Sequence, residues 1–218
     1  MNLCFNSCKQ KKHKKAITQS LKEGVVYIKN HKVIFNVVIF SFIMIAIGLP
    51  YTTLLPVFAK DYFHIGAAGY GYLFSVVGIG ALLGSLFSGI RSKEKVKFAM
   101  ISSFILFSVL LILFGSFART LSNHLSIFII ILLLIGFCFA TFNITNNTII
   151  QLQVSEVFRG RVLSTLSLGF GFTSLGNFII GWLAQSFSAP WAYIIIGSVL
   201  LMLSMFLVYF TRDHQMHA

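Results

Sequence analysis

Along this chain, long apolar runs alternate with short polar connections, a patterning on the scale of tens of residues rather than of one helix face. Six such runs follow one another, at about 33–58, 70–90, 98–117, 125–150, 162–184 and 191–210. Each is long enough, at about 1.5 Å per helical residue, to cross roughly 30 Å of hydrocarbon. Helices satisfy their own backbone groups in lipid, so the pattern predicts an all-α membrane protein with six transmembrane helices. Ahead of the bundle, residues 1–32 form a basic arm. Within it Ile17, Leu21, Val25 and Ile28 recur at helical spacing among lysines, and Ser20 with Glu23 has the spacing of a capping box, which predicts a short amphipathic helix lying on the membrane face. The bundle then takes 33–210, and 211–218 is a polar tail.

Polar residues inside the runs carry the chemistry. Pro50 and Pro56 fall late in the first run, which predicts a kink near Pro50. Beside it Tyr51, Thr52 and Thr53 form a candidate wet patch, with packing as the other reading of the threonines. Amides crowd the end of the fourth run as Asn143, Asn146, Asn147 and Gln151. Gly136, Ala140, Asn143, Asn147 and Gln151 fall at helical steps and so make one small-to-polar stripe. Such a stripe should avoid lipid. It either lines a substrate path or acts as interhelical glue at about 0.6 kcal/mol per hydrogen bond. Gly80 and Gly84 form GxxxG ahead of Ser88, and Gly169, Gly171, Gly176 and Gly181 punctuate the fifth run; both patterns predict close helix packing. The third and sixth runs hold little polar beyond serines and tyrosines, the pattern of peripheral helices facing lipid.

Composition narrows the class. Of 218 residues 57% are hydrophobic and 10% charged, with mean hydropathy +0.88, too few charges to cover a water-exposed surface. The net charge of +12 would suit nucleic acid, but the bases lie outside the apolar runs, as expected of an arm beside anionic lipid; no nucleic-acid partner is expected. Fifteen Lys and Arg fall on one side of a six-span topology: eight in the arm, four at 91–97, two at 151–161 and one in the tail. Lys60 and Arg119 fall on the other. The positive-inside rule predicts both termini in the cytoplasm of a cell-membrane protein. The first run is too long for a signal peptide and follows too long an arm, so it is expected to remain as a span. Cys4, Cys8 and Cys138 make no even framework, and Cys4 and Cys8 with His13 make a weak metal pattern; no disulfide, metal or cofactor is expected. No Asp, Glu, Lys, Arg or His falls within the core of a run, so this chain carries no proton relay of its own at membrane depth. With neither a nucleophile and base nor paired acids there, no catalytic residue is assigned and no enzyme is expected.

The segment Gln151-Leu-Gln-Val-Ser-Glu-Val-Phe-Arg-Gly-Arg-Val-Leu-Ser164 resembles the cytoplasmic loop between the tenth and eleventh helices in the enterobactin-exporter and macrolide-efflux branch of the major facilitator superfamily. Residues 21–32 similarly look like that family's central loop entering helix seven. Residues 84–93 resemble the second, degenerate copy of its loop motif, with Ser88 where the strong copy has Asp. The resemblance implies half of a major facilitator fold, the C-terminal six helices of twelve. It further implies that the first and fourth spans line a cavity while the third and sixth lie outside, and that Glu156, Arg159, Gly160 and Arg161 shape a cytoplasmic gate.

Together these readings predict the C-terminal half of an exporter of small amphipathic molecules of the drug or siderophore class. Its substrate path would use Tyr51, Thr52, Thr53, Asn143, Asn146, Asn147 and Gln151, with Gly80, Gly84 and Gly176 as packing positions. Such a half is expected either to be a truncated product or to pair with a second six-helix half or another copy, because rocking around a midplane site needs two halves. Two rivals are a six-helix substrate-capture subunit of an energy-coupling importer, which would need a closed pocket near the outer face, and an inactive membrane fragment.

Overall fold

The computed structural model of the chain describes residues 24, 26–29, 31–89, 96–120 and 124–213. The arm residues Cys4, Cys8, His13, Ser20 and Glu23, the loop 91–95 and Asn123 lie outside the described residues. Among those described there is no strand. Six helices are long and apolar enough to cross a membrane: Ile34–Tyr62, Gly66–Gly89, Val96–Thr120, Leu125–Gln153, Phe158–Phe187 and Ala189–Phe206. They are called here the first to sixth spans.

The first span changes helix type midway, and its prolines explain why. An α-helix runs over Lys32–Ile43, a wide π turn follows over Met44–Gly48, then a tight 3-10 stretch over Leu49–Leu54. Pro50 has no N–H for the Ala46 carbonyl four residues back. Gly176 of the fifth span brings its α-carbon against that same carbonyl and the Pro50 ring, where a Cβ would have no room. Pro56 likewise cannot serve the Thr52 carbonyl, which accepts the Leu55 N–H instead. Leu55 is thereby taken from Tyr51, whose carbonyl accepts the Tyr193 hydroxyl of the sixth span at 2.6 Å. The expected kink is thus a helix whose freed backbone acceptors meet the fifth and sixth spans.

Neighbour relations define two layers. The second span packs on the fourth, the fourth on the first and the first on the fifth; behind them the third packs on the sixth and the fourth, and the sixth also meets the fifth and the first. Gly80 and Gly84 lie against the backbone of Leu133 and Phe137, and Gly136 answers from the fourth span against Val77. Thr141 donates to the Gly84 carbonyl at 3.3 Å across the same contact. In the rear layer Gly115 meets Pro190 and Tyr193, and Gly197 meets Ser108 and Ile112. Between the layers runs an aromatic core: Phe40 on Phe104, Tyr51 on Phe107, and Phe58, Phe114 and Tyr193 in mutual contact with centroids 4.9–5.1 Å apart.

One expectation is corrected. The third span is not peripheral within this bundle: 56% of its apolar stretch is buried, against 17% of the second and 22% of the fifth. Phe104, Phe107 and Phe114 are fully enclosed. Leucine and phenylalanine suit a lipid contact and a helix contact equally, so an apolar surface alone does not tell the two apart.

Candidate functional site

The open side of the front layer is where polar side chains of separate spans reach the surface. On the fourth helix, Phe139 and Phe142 turn to the third span, in tilted ring contact with Phe107 and Phe104, while Thr141 turns to the second. Asn143 and Asn147 lie between those directions, half-buried and exposed respectively, and Gln151 is exposed one turn on. The stripe therefore starts in a closed contact at Gly136 and ends on an open face. Asn143 donates its amide to the Phe139 carbonyl and Asn147 donates to the Asn143 carbonyl, both at 2.9 Å. Asn146 is 5% exposed, and its Oδ1 has no partner among the described residues.

The patch expected beside Pro50 is divided. Tyr51, expected on the path, lies in the core at 2% exposure with its ring against Phe107 and Tyr193. The physical reason is the 3-10 turn, which commits its carbonyl to Tyr193. Thr52 is half-buried and donates to Leu49 at 3.1 Å. Thr53 reaches the open side and donates to Asn177 Oδ1 of the fifth span at 2.9 Å. From the helix ends, Thr53 and Asn177 sit in one half of the membrane depth, and Asn143, Asn147 and Gln151 in the other. Asn177 was not among the expected site residues; it is an amide beside Gly176, the residue on which the first and fifth spans meet.

At the end of the bundle near the fourth-to-fifth connection a second cluster forms. Arg159 donates to the Gln151 carbonyl at 2.9 Å. Arg161 stands over the Phe158 ring, 5.1 Å from its centroid, and Tyr27 of the arm stacks on that ring at 4.5 Å and on His31 at 4.3 Å. The arm and this connection therefore share one side of the bundle. Glu156 is exposed in the first turn of the fifth helix, where the helix dipole favours an acid. Gly160 faces open space. Tyr27 and Phe158 were also missed; their signal was an aromatic in a basic arm and another beside Arg-Gly-Arg. On the opposite side Arg119 lies over Trp191 at 4.2 Å, joining the third and sixth spans by a cation–π contact.

Compared with known proteins, residues 5–218 match the family of transmembrane secretion effectors, of major facilitator type. The chain belongs to that family. It is therefore a multi-pass membrane protein. A curated relative, the staphyloferrin A transporter of Staphylococcus aureus, is 26% identical over 193 residues, covering 88% of this chain and 47% of the relative. The chain thus spans about half the length of that relative. No solved structure matches it. Among the described residues no group of three or more His, Cys, Asp or Glu is placed to hold a metal ion. The open side of the front layer thus carries amides and hydroxyls on an otherwise apolar wall.

Proposed function

We propose that this chain supplies the C-terminal six-helix half of a major-facilitator exporter for small amphipathic molecules, and that its front layer faces a second six-helix half, or a second copy, across a substrate path. The path runs past Thr53 and Asn177 and then past Asn143, Asn146, Asn147 and Gln151. Arg159, Gly160 and Arg161, with Glu156 beside them, stand at its cytoplasmic mouth, and both termini lie in the cytoplasm. The family and the relative's name point to transport rather than catalysis. The family match along residues 5–218 favours this reading over the energy-coupling capture subunit. The drug or siderophore substrate class belongs to the proposal, and the relative's name lends the siderophore its support.

A single observation carries the path over the glue reading. Asn143 and Asn147 bond to the backbone of their own helix and, among the described residues, to no neighbouring span. Glue would require bonds between helices. The test replaces both residues by Leu in the assembled transporter and measures detergent unfolding beside substrate-dependent growth protection. Stability is expected to change by less than about 0.6 kcal/mol, below one interhelical bond, while substrate handling changes. Loss of assembly with normal function in the surviving protein would sink the path assignment.

A further inference from the structure

The path reading leaves open what covers the front layer, and the layer's two edges answer that. In the order second, fourth, first, fifth, the second and fifth spans each have a layer neighbour on one flank only. Gly80 and Gly84 turn to the fourth span, and Gly169 and Gly176 turn to the first. About half a turn round each of these two helices, the outer face is exposed along most of its length. On the second span that face is small: Gly71, Ser75 and Gly78 follow at steps of four and three, until Leu82 interrupts them at 66% exposure. On the fifth it is large: Trp182, Phe178 and Leu175 are all exposed, until Gly171 interrupts them. A Cβ at Gly71, Gly78 or Gly171 would meet nothing within 4 Å. In membranes small residues serve to bring another helix close, and lipid tails make no such demand.

The two faces also match in register. Successive spans alternate in direction, so Gly66, where the second begins, and Phe187, where the fifth ends, stand at the same end of the bundle. Five residues in from those ends are Gly71 and Trp182, and nine in are Ser75 and Phe178. Twelve in are Gly78 and Leu175, and sixteen in are Leu82 and Gly171. At about 1.5 Å per residue along both helices, each large side chain has a small residue at its own depth on the other edge. The fourth pair decides between matching and coincidence, because where the small face turns large the large face turns small.

One copy cannot use this match, since the fourth and first spans hold its two edges apart. A two-fold axis along the membrane normal brings the second span of each copy against the fifth of the other at equal depth, as a self-complementary contact requires. Resting on the path reading, we propose that the cover is a second copy of this chain, docked edge to edge, with Leu82 of each copy seated on Gly171 of the other and Phe178 on Ser75. Eight front-layer helices then close into a ring around the path.

Cysteine pairs read the register directly. Two forms of the full chain, their own cysteines replaced, are co-expressed, one with Leu82→Cys and the other with Gly171→Cys, and the membranes are oxidised. The 82–171 pair and the equivalent 75–178 pair are expected to link the chains into dimers. The mismatched 82–178 pair, about 10 Å out of depth, is expected to stay unlinked. Dimerisation itself is followed by energy transfer between labelled chains diluted in liposomes. Gly171→Leu enters space that its own bundle leaves open, so it should spare the fold and weaken the dimer by about tenfold or more. Adding Leu82→Gly to the same chain should restore the dimer, because knob and hole have then changed places. Absence of the 82–171 link, equal linking by 82–178, or a Gly171→Leu chain that dimerises like its parent each overturns the proposal. Reaction of Asn147→Cys with a water-soluble methanethiosulfonate separates the two levels. A reactive cysteine without the 82–171 link defeats the second copy alone; an unreactive one in a dimer of the expected register defeats the path reading beneath it.

Discussion

Glycine positions 84 and 160 show at the scale of one residue how differently the same residue type can be used. At Gly84 the backbone of Phe137 occupies the place of a side chain. Gly84→Ala must push the second and fourth spans apart, and overpacking of this kind destabilises by about 1–3 kcal/mol. Gly160 faces open space near the start of the fifth helix, where alanine is the better helix former by roughly 1 kcal/mol. Unfolding in graded detergent mixtures should therefore place Gly84→Ala below the parent and Gly160→Ala level with it or above. The reverse order would contradict the packing described. The GxxxG spacing made Gly80 and Gly84 legible in the sequence. Gly136 read there as the small end of an amide stripe, because its opposing backbone belongs to a helix more than fifty residues away. Tyr51 was misread for a similar reason: a tyrosine beside threonines looks wet until Tyr193, far along the chain, claims its carbonyl.

The first span illustrates what holds at the scale of an element. Two prolines remove two donors and the helix widens and then tightens; the Thr52 carbonyl turns to Leu55 of its own helix, while the Ala46 and Tyr51 carbonyls meet the fifth and sixth spans. The Tyr193 hydroxyl is the better defined of these supports, since an unpaired carbonyl at full burial has no water to turn to. Tyr193→Phe keeps the ring contacts with Phe58 and Phe114 and removes only the hydroxyl. It is expected to destabilise by about 1 kcal/mol, and to speed deuterium exchange in the Leu49–Leu54 stretch more than in the third span. Uniform exchange across both would show that the bond does not support the turn. The sequence announced a disturbance at Pro50 but not its form. Helix type depends on which acceptors a neighbour can satisfy, and that neighbour is set by tertiary packing.

For the whole molecule, element number and order were legible because about twenty apolar residues in a row admit few structures in lipid. Layering was less so. The third span, apolar apart from its serines between Phe98 and Phe117, read as peripheral and proved the most buried, since in a bilayer the inside and the outside of a bundle are equally apolar. The amide stripe was legible as a pattern; its bonding, with Asn143 and Asn147 each giving one N–H to the backbone of its own helix, was not. The Arg119–Trp191 contact and the Tyr27–Phe158 stack mark opposite ends of the bundle. Cysteine labelling in intact cells is expected to place Arg159 in the cytoplasm and Asn123 outside. Finding Asn123 cytoplasmic would overturn the proposed topology.

The central claim is that the open front layer is half of a path and works only when covered. It is tested most directly by reconstituting the purified chain into liposomes and following the flux of an amphipathic dye such as ethidium, first with the chain proven monomeric, then with a six-helix N-terminal half of the same family added. The expected result is no flux above empty liposomes for the monomer and clear flux for the pair, abolished again when the pair is separated. Robust flux by the proven monomer would contradict the claim.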